Sequence, residues 1–221
     1  GFDVAIHYFK NKTKADEIKK VIESLGRGCV IVSGDIESYD DVVNLKYDTV
    51  RGIGEIGVLI NCSTNPIPRV SFSSLDWQQM QEHFNINIKG SFNLMRVFVP
   101  DWEERKFGKF IAISSLATER LSAQWLPYIT SKTALNGFVK ALAFELAPKG
   151  IRINLVSPGM VETSLIADMP EKAKLLSAAQ TPLRTLASGD EVAGGISFLA
   201  SEKSNYLTGE TIRVNGGQVM L

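Results

Sequence analysis

The chain has 221 residues, 44% of them hydrophobic and 22% charged, which is typical of one globular domain with a sizeable core. Its 24 basic residues balance its 24 acidic residues, so overall charge gives no indication of nucleic-acid or membrane binding. No apolar run approaches the roughly 18 residues of a membrane-spanning helix. The two histidines, His7 and His83, have no partner at a spacing typical of metal ligands. We therefore expect no nucleic acid, no membrane and no metal among its partners.

The first residue is Gly1 rather than Met, and the apolar segment Val4–Ile6 follows almost at once. We interpret this start as that of a chain truncated at its N-terminus. A targeting peptide would be lost with the missing part, so a cytoplasmic location is expected while organelle targeting stays open.

Apolar runs alternate with amphipathic stretches along the whole sequence. Runs such as Val58–Ile60 and Phe110–Ile113 are apolar on both faces, as strands buried in a parallel sheet are. The alternation predicts a single α/β domain over residues 1–221, with a Rossmann-like doubly wound parallel sheet flanked by helices. Strands are predicted near residues 3–9, 28–33, 57–62, 108–114, 151–157 and 211–214, and helices near 13–25, 39–51, 75–104, 126–148 and 189–200.

The segment 159–187 differs from the rest, because it is rich in Ser, Thr, Pro and Met and has no strong periodicity. We predict that it forms a long excursion over the carboxyl edge of the sheet. Excursions of this length often close over a substrate, so the segment is a candidate lid.

The segment Gly52–Gly57 matches the G-x-G-x-x-G pattern of dinucleotide-binding turns letter for letter. Such a turn works when it follows a strand and opens a helix, because the amides at the helix start then face a pyrophosphate. Here the glycines follow a predicted helix and precede a predicted strand. We therefore interpret them as a connecting turn.

Tyr128 and Lys132 are four residues apart on a predicted helix, so they lie one above the other on the same face. A phenol normally has a pKa near 10, and a nearby ammonium favours the phenolate and lowers that pKa. The pair could therefore act in general acid catalysis. Taken alone, the pattern is weak, since such pairs arise by chance in many helices.

A second candidate group stands upstream of this pair. The apolar strand predicted at 108–114 ends in the hydroxyls of Ser114 and Ser115, thirteen residues before Tyr128. The carboxyl ends of parallel strands are where α/β sheets bind ligands. Ser115 could thus donate a hydrogen bond to a substrate carbonyl beside Tyr128; taken alone, it would be interpreted as a turn or cap residue.

Four motifs follow one another along the chain: Asn85–Gly90, Ser115 with Tyr128 and Lys132, Ser157–Thr163, and Tyr206–Gly217. In this order they resemble the short-chain dehydrogenase/reductase family, and the last is similar to its 3-oxoacyl-[acyl-carrier-protein] reductase branch. The resemblance covers essentially the whole chain, except that the family's first strand and glycine-rich turn are absent.

The resemblance implies catalytic roles for four residues. Tyr128 would donate the proton to a carbonyl oxygen, and Ser115 would polarise that carbonyl. Lys132 would lower the pKa of Tyr128 and bind the nicotinamide ribose. Asn87 would sit at a kink of the helix 75–104 and hold a water that connects Lys132 to solvent. Without the resemblance, Asn87 would be a polar residue that interrupts a helix.

The resemblance also implies a set of cofactor-binding residues. Thr163 would hold the nicotinamide carboxamide, Asp35 and its neighbour would flank the adenine, and Asn61 would lie beside the adenosine-side ribose. Asp35 alone would otherwise be interpreted as a helix-cap acid. The residues assigned to the cofactor are Asp35, Ile36, Asn61, Tyr128, Lys132, Pro158, Gly159, Val161 and Thr163.

The end of the first predicted strand bears on the choice of cofactor. Enzymes that prefer NAD usually place an acid at this position to bind the ribose 2′-hydroxyl. The run His7–Lys12 contains no acid and two lysines, Lys10 and Lys12, which would attract a 2′-phosphate. We therefore favour NADP(H) over NAD(H), although a solvated basic turn explains the same residues almost equally well.

Two departures from the family pattern concern the cofactor. The family's glycine-rich turn, which normally cradles the pyrophosphate, is absent, so the chain as given is expected to bind cofactor poorly. In addition, the family's usual Asn-Asn-Ala-Gly is Asn61-Cys62-Ser63-Thr64 here, which adds bulk where backbone and cofactor approach closely.

The implied branch acts on acyl groups attached to an acidic carrier protein. We hypothesise that Arg105, Lys106, Lys109 and Lys149 form a carrier-docking patch near the rim of the site, because complementary charge speeds association. An ordinary solvated basic cluster is an equally good interpretation. The resemblance also implies a homo-oligomer, typically a tetramer.

Three classes of function remain open at this point. The first is an NADP(H)-dependent reductase of 3-oxoacyl thioesters carried by acyl carrier protein. The second is an oxidoreductase of the same family that acts on another alcohol or ketone. The third is a non-catalytic subunit of a hetero-oligomeric reductase, which the absent glycine-rich turn would explain.

Overall fold

The computed structural model describes residues 1–167 and 169–220, and it has the predicted α/β architecture. Each predicted strand is confirmed to within one residue at either end. The strands are β1 (Val4–Tyr8), β2 (Cys29–Ser33), β3 (Val58–Asn61), β4 (Gly108–Ile113), β5 (Ile151–Pro158) and β6 (Thr211–Val214). The helices are α1 (Lys12–Ser24), α2 (Tyr39–Ile53), α3 (Trp77–Phe84), α4 (Gly90–Arg105), α5 (Leu126–Leu146), α6 (Glu171–Gln180) and α7 (Gly189–Ala200).

The six strands form two parallel sheets. In one sheet β1 pairs with β2, and in the other the order is β3-β4-β5-β6. Within the described residues, β1 has no strand partner other than β2, and β3 has none other than β4. Because all the pairs are parallel, the carboxyl ends of the strands in each sheet lie along one edge.

Strand β4 shows how the sequence produces a layered core. Successive side chains of a strand point to opposite faces, so Phe110 and Ala112 pack on one side and Ile111 on the other. The first side is covered by α2, α4 and α5, and the second by α7. Apolar residues on both faces are therefore required, and the unbroken run in the sequence is explained. Among the described helices, none combines the length and apolar character that a membrane crossing requires.

The helix predicted over 75–104 is interrupted. Helix α3 ends at Phe84, a π-helical turn runs from Asn85 to Lys89, and α4 begins at Gly90. A π-turn inserts an extra residue into the helical ladder and rotates the residues that follow. The helix is thus interrupted at Asn87, where the kink was expected, by a π-helical turn.

The glycine segment 52–57 is a connection between a helix and a strand, as its order in the sequence predicted. Gly54 caps the C-terminus of α2 with φ of +84°, and β3 begins directly after Gly57. Only glycine adopts such a positive φ readily, so the requirement at Gly54 is conformational. The segment provides no helix N-terminus for a phosphate.

The segment 159–187 is more ordered than its sequence predicted. It contains the helix α6, which begins after Pro170 and extends to Gln180. This helix has no fully buried residue, which explains why no apolar stripe reveals it in the sequence. Asp168 of the candidate lid lies outside the described residues.

Gly150 is a position where the fold depends on the absence of a side chain. It joins the turn after α5 to β5 with φ of +80°, and a Cβ there would overlap the backbone carbonyl of Lys106. We predict that Gly150→Ala lowers the free energy of unfolding by about 2 kcal/mol or more. The measurement is denaturant unfolding.

The matched control is Gly137→Ala in α5, where a Cβ would meet no heavy atom within 4 Å. Since alanine favours helix over glycine, this variant should gain about 0.5–1 kcal/mol. Equal stability of the two variants would contradict the prediction.

Candidate functional site

A cavity of about 860 Å³ lies at the carboxyl edge of the four-stranded sheet, beside the ends of β4 and β5. Its walls come from the loop after β3, the first turns of α5, and the candidate lid with α6. Gln218, four residues past β6, completes the wall, and its side-chain amide donates to the hydroxyl of Thr181. The ends of β4 and β5 and the candidate lid therefore line a single cavity.

Ser115 and Tyr128 meet in this cavity. Ser115 follows β4 and caps a short 3₁₀ turn, where its hydroxyl accepts a hydrogen bond from the amide of Ala117. Tyr128 lies in the first turn of α5 and is 5% exposed. The Ser115 side chain hydrogen-bonds the phenol, so the two hydroxyls lie side by side.

Lys132 lies one helical turn further along α5 and is buried, with 3% of its surface exposed. Its ammonium donates a hydrogen bond of 2.7 Å to the carbonyl oxygen of Ile113 and lies 5.9 Å from the centroid of the Tyr128 ring. The predicted spacing therefore brings the ammonium to the face of the ring, and the end of β4 holds it there.

The pKa values of this pair are governed by burial. Burial raises the pKa of Tyr128 above its ordinary value, and the hydrogen bond from Ser115 offsets only part of the rise. Burial lowers the pKa of Lys132 to about 8. The expected lowering of the Tyr128 pKa by Lys132 is not among the contributions in this structure, where burial dominates. The cause is geometric, because the ammonium is directed at the Ile113 carbonyl.

Asn87 is buried within the π-helical turn and is 1% exposed. Its side-chain amide donates to the backbone carbonyl of His83 and to the hydroxyl of Ser131, both at 3.1 Å. Ser131 in turn donates to the backbone carbonyl of Tyr128. Asn87 Oδ1 is buried without a hydrogen-bond partner among the described residues. A buried acceptor of this kind is suited to an ordered water, as the resemblance implies.

His83 is a site residue that the sequence did not reveal. Its ring packs edge-on against Tyr128, with 6.1 Å between centroids, and is 4% exposed. Its ring hydrogen-bonds the backbone of Pro66, which lines the cavity; since proline has no N–H, the imidazole is the donor. Nδ1 is buried without a hydrogen-bond partner among the described residues, and burial lowers the pKa of the ring. The sequence gives one indication of this position, since His83 lies four residues, about one helical turn, before Asn87.

The residues predicted around the nicotinamide lie together. Pro158, Gly159, Val161 and Thr163 all line the cavity that contains Tyr128 and Lys132. A Cβ on Gly159 would come within 3.1 Å of the Cα of Asn215, so the backbone of the two segments packs closely there. The structure thus brings this part of the predicted set into one place.

Three other predicted cofactor residues lie outside the cavity lining. Asp35 follows β2 and accepts a hydrogen bond from the amide of Glu37, so it closes a local turn. Ile36 is 3% exposed and belongs to the hydrophobic core. Asn61 is also buried, and its side-chain amide donates to Ser91 at 3.0 Å. Because the side chains of Ile36 and Asn61 are buried, only the backbone groups of these residues are available to bind a ligand.

The departures in the loop after β3 concern the cavity itself. Cys62 and Thr64 both line its wall. Cys62 lines the cavity, and desolvation by the surrounding protein raises the pKa of its thiol. The added bulk relative to the family pattern therefore lies at the site.

The hypothesised carrier-docking patch does not lie at the rim of the cavity. Lys109 is buried at the amino end of β4, where its ammonium donates to the backbone of Ser201. Arg105 and Lys149 are each paired with a glutamate. Within one chain, these residues lie at the end of β4 opposite Ser115, because a six-residue strand separates them. The hypothesis was wrong about their position.

Comparison with known sequences identifies the family. The family model described as enoyl-(acyl carrier protein) reductase matches residues 1–218. The chain belongs to the short-chain dehydrogenase/reductase family. It is therefore an oxidoreductase by family.

Two curated relatives illustrate the position of the chain within the short-chain dehydrogenase/reductase family. An acetoacetyl-CoA reductase of Allochromatium vinosum is 32% identical over 93% of this chain and 83% of its own length. The 3-oxoacyl-[acyl-carrier-protein] reductase FabG of Staphylococcus epidermidis is 28% identical over 100% of this chain and 90% of its own length. Both are named for the reduction of a ketone.

A solved structure shares the fold. The gluconate 5-dehydrogenase of Burkholderia cenocepacia, determined in complex with NADP and tartrate, superimposes with a TM-score of 0.90 at 24% identity. The match covers 99% of this chain and 86% of that one.

The residues present fit the nicotinamide half of a cofactor. The cavity has room for a ring beside Tyr128, and Pro158, Gly159 and Thr163 line the same space. The pyrophosphate half has no such fit. Among the described residues, the only G-x-G-x-x-G segment connects a helix to a strand.

His83 generates a testable dependence of stability on pH. Burial and the nearby cation of Lys132 lower the pKa of His83 below 6.5, while Glu82 on the same helix opposes the shift. The unfolded chain then binds a proton near pH 6.5 that the folded chain resists, so stability is lost as the pH falls below that value. We predict that His83→Phe flattens this loss, as measured by Tm against pH.

The control is His7→Phe, since His7 is the only other histidine and is exposed. This variant should keep the pH dependence of the unmodified protein. Identical curves for both variants would contradict the assignment to His83.

Proposed function

We propose that this protein is an NADP(H)-dependent reductase that converts a ketone to a secondary alcohol, and that its substrate is a 3-oxoacyl thioester on acyl carrier protein. The observation that carries the proposal is the meeting of Ser115, Tyr128 and Lys132 in one cavity. A protonated phenol and a neighbouring hydroxyl are the groups that a carbonyl oxygen requires when it gains negative charge.

A nicotinamide cofactor held beside Tyr128 and Lys132 would supply the hydride for the carbonyl carbon. Tyr128 gives its phenolic proton to the carbonyl oxygen, so the product is the neutral alcohol. Its raised pKa keeps the phenol protonated throughout the neutral range, which suits a proton donor. Ser115 donates a hydrogen bond to the same oxygen and fixes its position.

Lys132 restores the proton that Tyr128 loses. Its pKa is about 8, whereas the pKa of the phenol lies above the ordinary value of 10. Transfer of a proton from the ammonium to a phenolate is therefore downhill. Asn87 donates a hydrogen bond to Ser131, the residue before Lys132. The unpartnered side-chain oxygen of Asn87 offers a site for the water that would connect Lys132 to solvent.

The substrate class is supported by the relatives and by the walls of the cavity. Both curated relatives named above act on 3-oxoacyl groups according to their names. The lid side of the cavity presents apolar side chains, Leu165, Ile166 and Leu176 among them, which suit an acyl chain.

The preference for NADP(H) rests on the turn after β1. Lys10 and Lys12 follow the carboxyl end of this strand, both are exposed, and no acid stands between Tyr8 and Lys12. A carboxylate in this turn would repel a 2′-phosphate, whereas either ammonium would attract it. The glycine-rich turn that would bind the pyrophosphate of the cofactor is not among the described residues.

The proposed reaction is tested by the loss of NADPH absorbance with an acetoacetyl thioester as substrate. We predict turnover with NADPH at a high KM for the cofactor, because the described residues offer no turn for the pyrophosphate. Turnover with NADH should be slower, and kcat should fall about a thousandfold for Tyr128→Phe. Phenylalanine preserves the ring packing against His83 and removes only the proton donor. The same NADPH turnover for Tyr128→Phe and the unmodified protein would refute the role of the phenol.

Other outcomes of the assay separate the remaining classes. Turnover of a sugar or steroid ketone, but not of the thioester, would favour a different substrate. Absence of cofactor binding, even when a family glycine-rich turn is fused to the N-terminus, would favour a non-catalytic subunit.

The pH profile tests the role of Lys132 separately. Because its pKa is about 8, the ammonium is present below that pH and is lost above it. We predict that kcat for ketone reduction is level below pH 8 and falls as the pH rises through this value. Lys132→Arg, which stays charged, should be slower overall but without this fall. A fall at the same pH in both proteins would assign it to another group.

A further inference from the structure

The charge of the cavity lining is unbalanced. Among the described residues that line it, Lys132 and Arg120 are cations, and none is an aspartate or a glutamate. Lys132 lies deep in the cavity and its ammonium is held by the Ile113 carbonyl. Arg120 is exposed, so it is the cation of the outer part.

The acid nearest to Arg120 in sequence is engaged elsewhere. Glu119 forms a bidentate pair with Arg213 of β6, with distances of 2.8 to 3.1 Å between the guanidinium nitrogens and the carboxylate oxygens. Its charge is therefore compensated by Arg213. Arg120 keeps its net positive charge towards the cavity.

The guanidinium of Arg120 is held in place without being neutralised. It donates a hydrogen bond of 2.7 Å to the side-chain oxygen of Gln180, the last residue of α6. The loop that carries Arg120 is also fixed, because its amide donates to the carbonyl of Leu116 in the turn after Ser115. A neutral acceptor uses part of the guanidinium and leaves other N–H groups available.

We propose that Arg120 is a specificity-determining residue that binds an oxyanion, a carboxylate or a phosphate, on the substrate at the mouth of the cavity. The proposal rests on the proposed function in one respect, since it takes the ketone to be reduced at Tyr128. The planar guanidinium matches both oxyanions with paired hydrogen bonds. The apolar wall between mouth and Tyr128 then accommodates the uncharged part of the substrate.

The oxyanion has two chemically plausible sources. It is either a carboxylate of the keto substrate itself or a phosphate of the carrier to which an acyl group is attached. Two matched pairs of ketones distinguish them: acetoacetate against its methyl ester, and the acetoacetyl thioester of coenzyme A against that of N-acetylcysteamine. Within each pair the reacting carbonyl is unchanged and the anion is removed.

The test compares KM for these four ketones in the unmodified protein and in Arg120→Gln. The expected result is a rise of about tenfold in KM for one or both anionic ketones, with unchanged KM for the neutral member of each pair. A rise confined to coenzyme A identifies phosphate, and a rise confined to acetoacetate identifies carboxylate. Equal changes for charged and neutral ketones, or no change for any, would overturn the proposal.

Two further variants separate local binding from general charge. Arg184→Gln removes another exposed cation, one that belongs to the candidate lid but does not line the cavity, so it should leave all four KM values unchanged. Gln180→Glu places a carboxylate against Arg120 and should raise KM for the anionic ketones as Arg120→Gln does. If Arg184→Gln raises KM as much as Arg120→Gln, long-range attraction explains the effect and the proposal fails.

Binding without turnover keeps this proposal distinct from the proposed reaction. Titration calorimetry with the product 3-hydroxybutyrate, its methyl ester and the two corresponding thioesters requires no hydride transfer. Weaker binding of the anionic products to Arg120→Gln supports the anion site even if no ketone is reduced. If Arg120→Gln binds the anionic products as the unmodified protein does and the ketones are still reduced, the anion site is contradicted and the reductase proposal stands.

Discussion

A buried chain of hydrogen bonds holds the site together. Asn61 at the end of β3 donates to Ser91, and Ser91 donates to the backbone of Asn87 in the π-helical turn. The side chain of Asn87 then reaches Ser131 of α5, which lies between Tyr128 and Lys132. Such buried polar groups are costly unless they are paired, so each link fixes the next. The position of the tyrosine turn relative to the strand edge follows from this chain.

Burial then sets the chemistry of the paired side chains. The same low-polarity surroundings raise the pKa of an acid such as Tyr128 and lower that of a base such as Lys132. A spacing of four residues predicts contact between the two side chains, but the direction of the ammonium depends on the carbonyl of Ile113. In the proposed reaction, the pair works through a difference in acidity between Tyr128 as proton donor and Lys132 as its proton supplier, and the phenol stays protonated until substrate binds.

The sequence predicts most of the fold, because each strand of the larger sheet must be apolar on both faces and each helix on one. It also predicts which residues share the cavity near Tyr128, since they follow strand ends. The π-turn, the helix α6 and the burial of Lys109 escape prediction. A π-turn has no local sequence signature, α6 buries no complete side chain, and a lysine interior to the fold looks like any surface lysine. His83 escapes because its partner ring is distant in sequence.

Strand β6 and the residues that follow it connect two walls of the cavity. Gln218 lines the cavity, Gly216 accepts a hydrogen bond from the amide of Leu183 beyond α6, and Arg213 of β6 pairs with Glu119 in the loop after Ser115. This C-terminal segment is thus bonded both to the loop that carries Arg120 and to the candidate lid. A shift of the segment would therefore displace two walls of the cavity at once.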